Sequence, residues 1–473
     1  MVGTTIFERN VPSASTVEHS LATTRTGVFW TEDLPAELRP ARPALTGDTR
    51  ADLVIVGAGY CGLWTALLAA TRDPGRRIVV VESQRVGWAA SGRNGGFCES
   101  SLTHGETNGM NRWPDEMPEL ERMGLANLDA IAATEKDHGL DFQFERTGSL
   151  AVAVEPHEID WLREEGEFLD ADAVRAAVNS PTYLAGSFSP DSTALVHPAR
   201  MAAELARACE NLGVEIFEHS PATVLESEGR DNTAVTVVTA EGRVHADQVA
   251  LATNVFPSLL KRNRLMTVPV YDYVLMTEPL TDEQWASIGW EGRQGVSDLA
   301  NQFHYYRPTK DGRILFGGYD AVYHPGRKVN PAYEHRPETW RKLASHFFTT
   351  FPQLEGLTFS HRWAGAIDSS TQFTSFFGTA RGGRVAYAAG FTGLGVGSTR
   401  FAGDVMLDLL EGADTERTRL EMVRQRPLPF PPEPAATLGV AMTKWSMNRA
   451  DHNEGKRNML LKTLDALGLG FDS

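Results

Sequence analysis

Three glycines, in the run Gly57-Ala58-Gly59-Tyr60-Cys61-Gly62, have the spacing of a backbone cradle for a diphosphate. The first permits a tight turn. The second carries no Cβ to hold a pyrophosphate away, and the third lets the next helix close on the preceding strand. Glu82 stands twenty residues beyond Gly62, followed by Ser83. A carboxylate there accepts hydrogen bonds from ribose hydroxyls and repels a 2′-phosphate. The set is expected to bind a dinucleotide, and by itself it does not choose between FAD and NAD.

Two more glycine-rich runs bear on that choice. Ser91-Gly92-Arg93-Asn94-Gly95-Gly96-Phe97 is too rich in glycine for a packed helix or strand, and so bare a backbone can lie against a flat ring or a phosphate. Gly390-Phe391-Thr392-Gly393-Leu394-Gly395-Val396-Gly397 repeats the feature near the other end of the chain. Two distant loops on one ligand suit a long, buried FAD better than a dissociable NAD, although glycine runs also serve as plain turns.

The elements that must position these loops are legible around them. Leu53-Val54-Ile55-Val56 is a continuous apolar run, as expected of a strand buried on both faces. Leu63 to Thr71 reads as a helix stopped by Asp73-Pro74-Gly75, and Ile78-Val79-Val80-Val81 as a second buried strand. Together they have the size of a strand–helix–strand unit. Further helices are expected over 114–135, 198–212, 282–288 and 398–410. Strands are expected over 148–154, 213–217, 233–239, 248–253 and 385–389. Thr253, at the end of one of them, joins the candidate cofactor-binding residues. Residues 1–50 read as a surface-wrapping arm. The run from Arg426 to Pro434 reads as a stiff linker, and the tail from Ala435 onward as helical.

The segments DLVIVGAGYCGLWTALLAA, SGRNGG, FHYYRPTKDGRILFGG and AAGFTGLGV give the chain a resemblance. It resembles the D-amino-acid-oxidase-type superfamily of FAD-dependent amine and amino-acid oxidoreductases, within it the gamma-glutamylputrescine-oxidase-like group, over residues 29 to 410. The resemblance implies an α/β fold, α+β overall, with a discontinuous Rossmann-like FAD-binding domain (51–105, 195–265, 366–415). It implies an inserted mixed-sheet substrate domain (106–194, 266–365), leaving 416–473 as linker and tail. It implies FAD as the cofactor and hydride transfer from an amine Cα–H to flavin N5, with hydrolysis of the resulting imine. It assigns Gly57, Gly59, Gly62 and Glu82 to the ADP-binding segment. Ser91, Arg93, Asn94, Gly95 and Gly96 match the loop beside pyrophosphate and flavin ring, and Val224 the position whose backbone meets adenine. Gly390, Thr392, Gly393, Leu394, Gly395 and Val396 fall on the loop near the flavin pyrimidine. Related sequences often carry histidine where Leu394 stands, so only backbone contacts carry over there. Some superfamily members tether flavin covalently, and Cys98, just past the flavin loop, has the reach. The ordinary reading of Cys98 is a small packed thiol.

The catalytic candidates come from less specific signals. In Phe303-His304-Tyr305-Tyr306-Arg307, strand alternation puts Phe303, Tyr305 and Arg307 on one face and His304 and Tyr306 on the other. Arg307 has the geometry to pair a substrate carboxylate, or to serve a structural ion pair. His304 titrates in the range an acid/base needs, although core histidines are common. Tyr271 and Tyr273 are candidates to wall an aromatic cage, or for sheet packing. Trp363 resembles a family position near the flavin.

Bulk properties exclude other classes. The formal charge is −16, which argues against nucleic acid as a partner and modestly favours a cationic amine. Three cysteines, Cys61, Cys98 and Cys209, make neither a disulfide framework nor a metal set. The first residues lack the apolar core of a secretory signal, and no apolar run is long enough to span a membrane. A cytoplasmic enzyme acting on a small amine or amino acid is expected, as a possible homo-oligomer. The rival readings are an NAD-dependent dehydrogenase and a non-catalytic flavin-binding protein for assembly or redox sensing.

Overall fold

The structure, a computed structural model, describes residues 3–163, 166–228 and 234–470. The apolar runs at 53–56 and 78–81 lie at the centre of an eight-stranded sheet. Its parallel core runs Glu215–Phe217, Ile78–Val81, Gly47–Val56, Gly242–Leu251 and Val385–Ala389. The runs are continuous because both faces are covered. Leu53 and Ile55 point to one side, against Trp64, Leu67, Leu205 and Val405 of the helices Tyr60–Arg72, Pro198–Asn211 and Ser398–Glu411. Val54 and Val79 point to the other, against Val237, Val249 and Tyr387. Antiparallel strands Val224–Glu228, Ala234–Val238 and Phe376–Ala380 complete this sheet. Thr233, where one strand was expected to begin, lies outside the described residues.

A second, ten-stranded mixed sheet is assembled from Ser149–Ala153, Ala185–Ser189, Thr267–Thr277, Gly295–Asp298, His304–Pro308, Ile314–Gly318, Phe359–Ser370 and shorter strands. One face is closed by the helix Pro337–Thr350, whose Trp340, Leu343 and Phe347 pack on Tyr273, Leu275 and Phe316. The other faces the first sheet across a cavity. The chain crosses between the sheets several times, as expected of a discontinuous cofactor domain carrying an inserted one. The strand Phe359–Ser370 belongs wholly to the second sheet, although 366–370 was grouped with the cofactor domain from sequence.

The N-terminal arm does more than wrap the surface. Arg25–Thr26 adds an edge strand beside His361 and Arg362, and the Trp30 indole N–H donates to the Asn94 carbonyl at 3.0 Å. Among the described residues no helix is long and apolar enough to cross a membrane.

Candidate functional site

The strand Gly47–Val56 ends at Gly57, whose φ of +107° favours glycine. The helix Tyr60–Arg72 begins three residues after that, with Gly59 as its N-cap. Close approach dictates the third glycine. A Cβ on Gly62 would lie 1.9 Å from the Gly57 carbonyl oxygen and 3.2 Å from Ile55 Cγ2. The helix start thus presents the positive end of its dipole at a bare backbone turn.

Glu82, at the end of the second buried strand, ties this turn to its surroundings. Its Oε2 accepts from Ala58 N at 2.8 Å. Its Oε1 accepts from Gln84 N and Ser83 Oγ at 2.9 Å and from Trp88 Nε1 at 2.8 Å. Ser91 Oγ accepts from Tyr60 N at 2.9 Å, joining the loop at 91–96 to the helix start. That loop is held from within by Asn94, whose Nδ2 donates to the carbonyls of Ala90 and Ser91 and whose Oδ1 accepts from Gly96 N. The loop at 390–396 is held by Asp368, whose Oδ2 accepts from Gly390 N at 2.5 Å. Burial pushes the Asp368 carboxyl up to about 7, against the pull of the Gly390 and Phe391 N–H groups.

These loops border one cavity of about 1940 Å³. An ordinary small-molecule pocket is about 300–1,000 Å³, so there is room for a dinucleotide and a second molecule. Gly57, Gly59, Tyr60, Cys61, Glu82 and Ser83 line it, with Thr253 beside the glycine turn. Ser91, Arg93, Asn94 and Gly95 line the middle, as do Thr392, Gly393, Leu394, Gly395 and Val396. Asn254, also on the wall, has a buried Oδ1 with no partner. The glycine cradle, the helix start, the buried carboxylate and this spare acceptor fit an extended dinucleotide.

Other expected residues stand behind the wall. Ala58, Gly62, Gly96 and Gly390 shape the turns without bordering the cavity. Val224 is 46% exposed on an edge strand, paired with Val238, and the neighbouring Ala222 and Thr223 reach the cavity instead. Cys98 faces away. In the strand Phe97–Glu99 its two neighbours border the cavity, and alternation turns its thiol into the core.

None of the catalytic candidates borders the cavity. His304 is fully buried, with Nδ1 2.6 Å from Asp298 Oδ2 and Nε2 2.8 Å from His346 Nδ1. Burial drives its pKa down to about 3, so it is a neutral structural group. Tyr273 packs against Trp340 on the sheet's far face and donates to the Tyr333 carbonyl at 2.6 Å. Tyr271 shares that face. Arg307 donates to the carbonyls of Val196 at 2.7 Å and Gly96 at 3.3 Å, bracing the loop at 91–96 from behind. Trp363 likewise donates to the Arg93 carbonyl at 2.8 Å.

Asp272 and Tyr305, from the same strands as these candidates, do border the cavity. Tyr305 Oη donates to Asp272 Oδ2. A Cβ on Gly95 would lie 2.6 Å from the Tyr305 ring, so the ring lies directly against the glycine loop. Burial pushes the Asp272 carboxyl up to about 6, partly offset by hydrogen bonds from Tyr305 and the Gly318 N–H. Burial and the adjacent carboxylate raise the Tyr305 phenol, which stays a donor. The signal for Asp272 was present in the sequence as the one charged residue within Thr-Val-Pro-Val-Tyr-Asp-Tyr-Val-Leu-Met-Thr.

Residues 52–409 match the family described as FAD dependent oxidoreductase. The chain is 30% identical over 388 residues to gamma-glutamylputrescine oxidoreductase of Escherichia coli, a match covering 77% of this chain and 84% of that one. It is 29% identical over 391 residues to the probable oxidoreductase OrdL of Haemophilus influenzae, covering 79% and 85%. Among solved structures, glycine oxidase from Geobacillus kaustophilus shares the fold with a TM-score of 0.65 at 19% identity, covering 80% of this chain and 99% of that one.

Proposed function

Because the chain belongs to the FAD-dependent oxidoreductase family, with FAD as its cofactor, we propose that it oxidises the C–N bond of a small amine. Gly57, Gly59, Glu82 and the helix start at Tyr60 would hold the ADP half, and the loops at 91–96 and 392–396 the flavin half. Bound flavin supplies a hydride acceptor at N5, and water then hydrolyses the imine product. The chain's own residues bind the amine, hold its proton and limit water.

One observation carries the reading: a single cavity joins the dinucleotide cradle to the Asp272–Tyr305 pair. A carboxylate there attracts an ammonium group. With a pKa of about 6 it is ionised at neutral pH and can accept the ammonium proton, so the amine reacts with its nitrogen lone pair free. Tyr305 Oη holds Asp272 Oδ2 in place. Three cations along the wall are paired, Arg93 with Glu334, Lys444 with Asp320 and Arg457 with Asp465, while Arg264, also on the wall, donates to the Ser258 carbonyl at 3.3 Å and makes no ion pair among the described residues. The three cysteines are buried free thiols, in keeping with the expected cytoplasmic setting.

The test is anaerobic bleaching of the purified yellow holoenzyme against a panel of amines and amino acids, with gamma-glutamylputrescine, glycine and L-proline among them. Bleaching by at least one amine of the panel is the expected result. Tight flavin that no compound reduces would overturn the proposal in favour of a non-catalytic flavoprotein.

A further inference from the structure

The family match ends at residue 409, yet the cavity wall continues into the C-terminal tail. The tail crosses from one side of the cavity to the other and is fastened along its length. Phe430 N donates to the Leu265 carbonyl at 2.8 Å, and Thr371 Oγ1 to the Leu428 carbonyl at 2.8 Å. In the helix Ala435–Asp451, Lys444 Nζ lies 2.7 Å from Asp320 Oδ1, and Asp451 Oδ1 accepts from Asn301 N at 2.9 Å. His452 reaches Glu8 of the N-terminal arm at 3.0 Å. Beyond the second helix, Met459–Ala466, Arg112 donates to the Gly468 carbonyl at 2.9 Å. The tail is a roof joined to both sheets' surroundings and to the arm.

Its inner surface is largely apolar, with Thr443, Lys444 and Arg457 as the polar exceptions. Met447, Leu460 and Leu464 face the cavity from the tail, and Trp161, Phe303 and Tyr319 face it from below. Gly455 brings the roof down on the Trp161 ring, where a Cβ would lie 2.8 Å away. The nearby ions pair among themselves: Lys444 with Asp320 and Arg457 with Asp465. Unspent charge at this end would demand a polar ligand; paired charge and apolar rings do not.

Resting on the amine-oxidation reading, we propose that the tail builds a subsite for an uncharged, elongated or aromatic hydrocarbon group attached to the substrate amine, so that this chain prefers such amines over compact ones.

Two ligand series on the full-length holoenzyme test this. Alkylamines from propyl to hexyl, with phenylethylamine, are followed by anaerobic flavin bleaching. The matching alkanols, which cannot be oxidised as amines, are followed by calorimetry. Apparent affinity is expected to rise about three- to fourfold per methylene in both series. The slope should flatten in the Met447→Ala, Leu464→Ala double variant, with flavin absorbance as the folding check. If that variant loses flavin, the wild-type slopes decide. Length-independent affinity in both series overturns the subsite, even if every amine bleaches the flavin. A slope with alkanols and no bleaching by any amine leaves the subsite standing and removes the amine reading.

Discussion

Asp272→Asn isolates the carboxylate on which the amine reading turns. The change preserves shape and removes the charge, while Tyr305 keeps an acceptor at the amide oxygen. A hydrogen bond to a charged group contributes about 1.5–3 kcal/mol, so the apparent Kd for an amine should weaken roughly 10- to 150-fold. The assay is anaerobic stopped-flow flavin reduction across amine concentration and pH, which separates Kd from the limiting rate. With the Asp272 carboxyl raised to about 6, wild-type affinity should fall about tenfold per pH unit below that value. The variant should lack this acid limb. Tyr305→Phe removes a hydrogen bond that lowers the carboxyl pKa, so its limb should move to higher pH. The stability sign is independent of turnover. The folded carboxyl binds its proton more tightly than the unfolded one, so its contribution is fully present below the ordinary carboxylate value and is lost as pH rises through about 6. Asp272→Asn should therefore gain thermal stability relative to wild type between pH 4 and 8. A variant that keeps the wild-type Kd and its acid limb would refute the role given to Asp272.

Other changes probe the frame. Gly62→Ala places a methyl group 1.9 Å from a backbone oxygen; it should cost at least about 1–3 kcal/mol, lower Tm and lose visible flavin absorbance on gel filtration. Glu82→Ala strands the Ala58 and Gln84 N–H donors, and reconstitution titrations should show FAD affinity reduced by tenfold or more. His304→Leu leaves Asp298 without its ring partner. Denaturant unfolding should show a loss of about 1–3 kcal/mol, with the amine Kd unchanged where the protein remains folded; a selective loss of flavin reduction would instead restore His304 to catalysis. Cys98 faces the core, so acid precipitation of wild type and Cys98→Ser should release all flavin to the supernatant. A coloured wild-type pellet would contradict that orientation.

The glycine turn proposed to hold the cofactor was legible because its geometry is local. A strand, a turn that demands glycine at positions 57, 59 and 62, a helix and a carboxylate at 82 lie within one short stretch, and each residue's reason is its neighbour in sequence. The helices Pro198–Asn211, Asp282–Ile288 and Ser398–Glu411 were legible for the same reason, being fixed by periodicity and end signals within a turn or two. The substrate half was not. Alternation tells which residues of a strand share a face, but not which face meets the cavity. Tyr271 and Tyr273 were grouped correctly and lie on the side covered by the helix Pro337–Thr350, which leaves Asp272 on the other. His304 and Arg307 carry reactive groups whose partners, Asp298, His346 and the Val196 and Gly96 carbonyls, come from other elements. The tail's place over the cavity depends on contacts with residues 8, 112, 265, 301 and 320, from 124 to 444 positions away. Sequence alone determined what must happen between near neighbours. Which surfaces meet, and so which side chains the substrate touches, was decided only when distant segments packed, because burial and pairing are properties of the assembled layers.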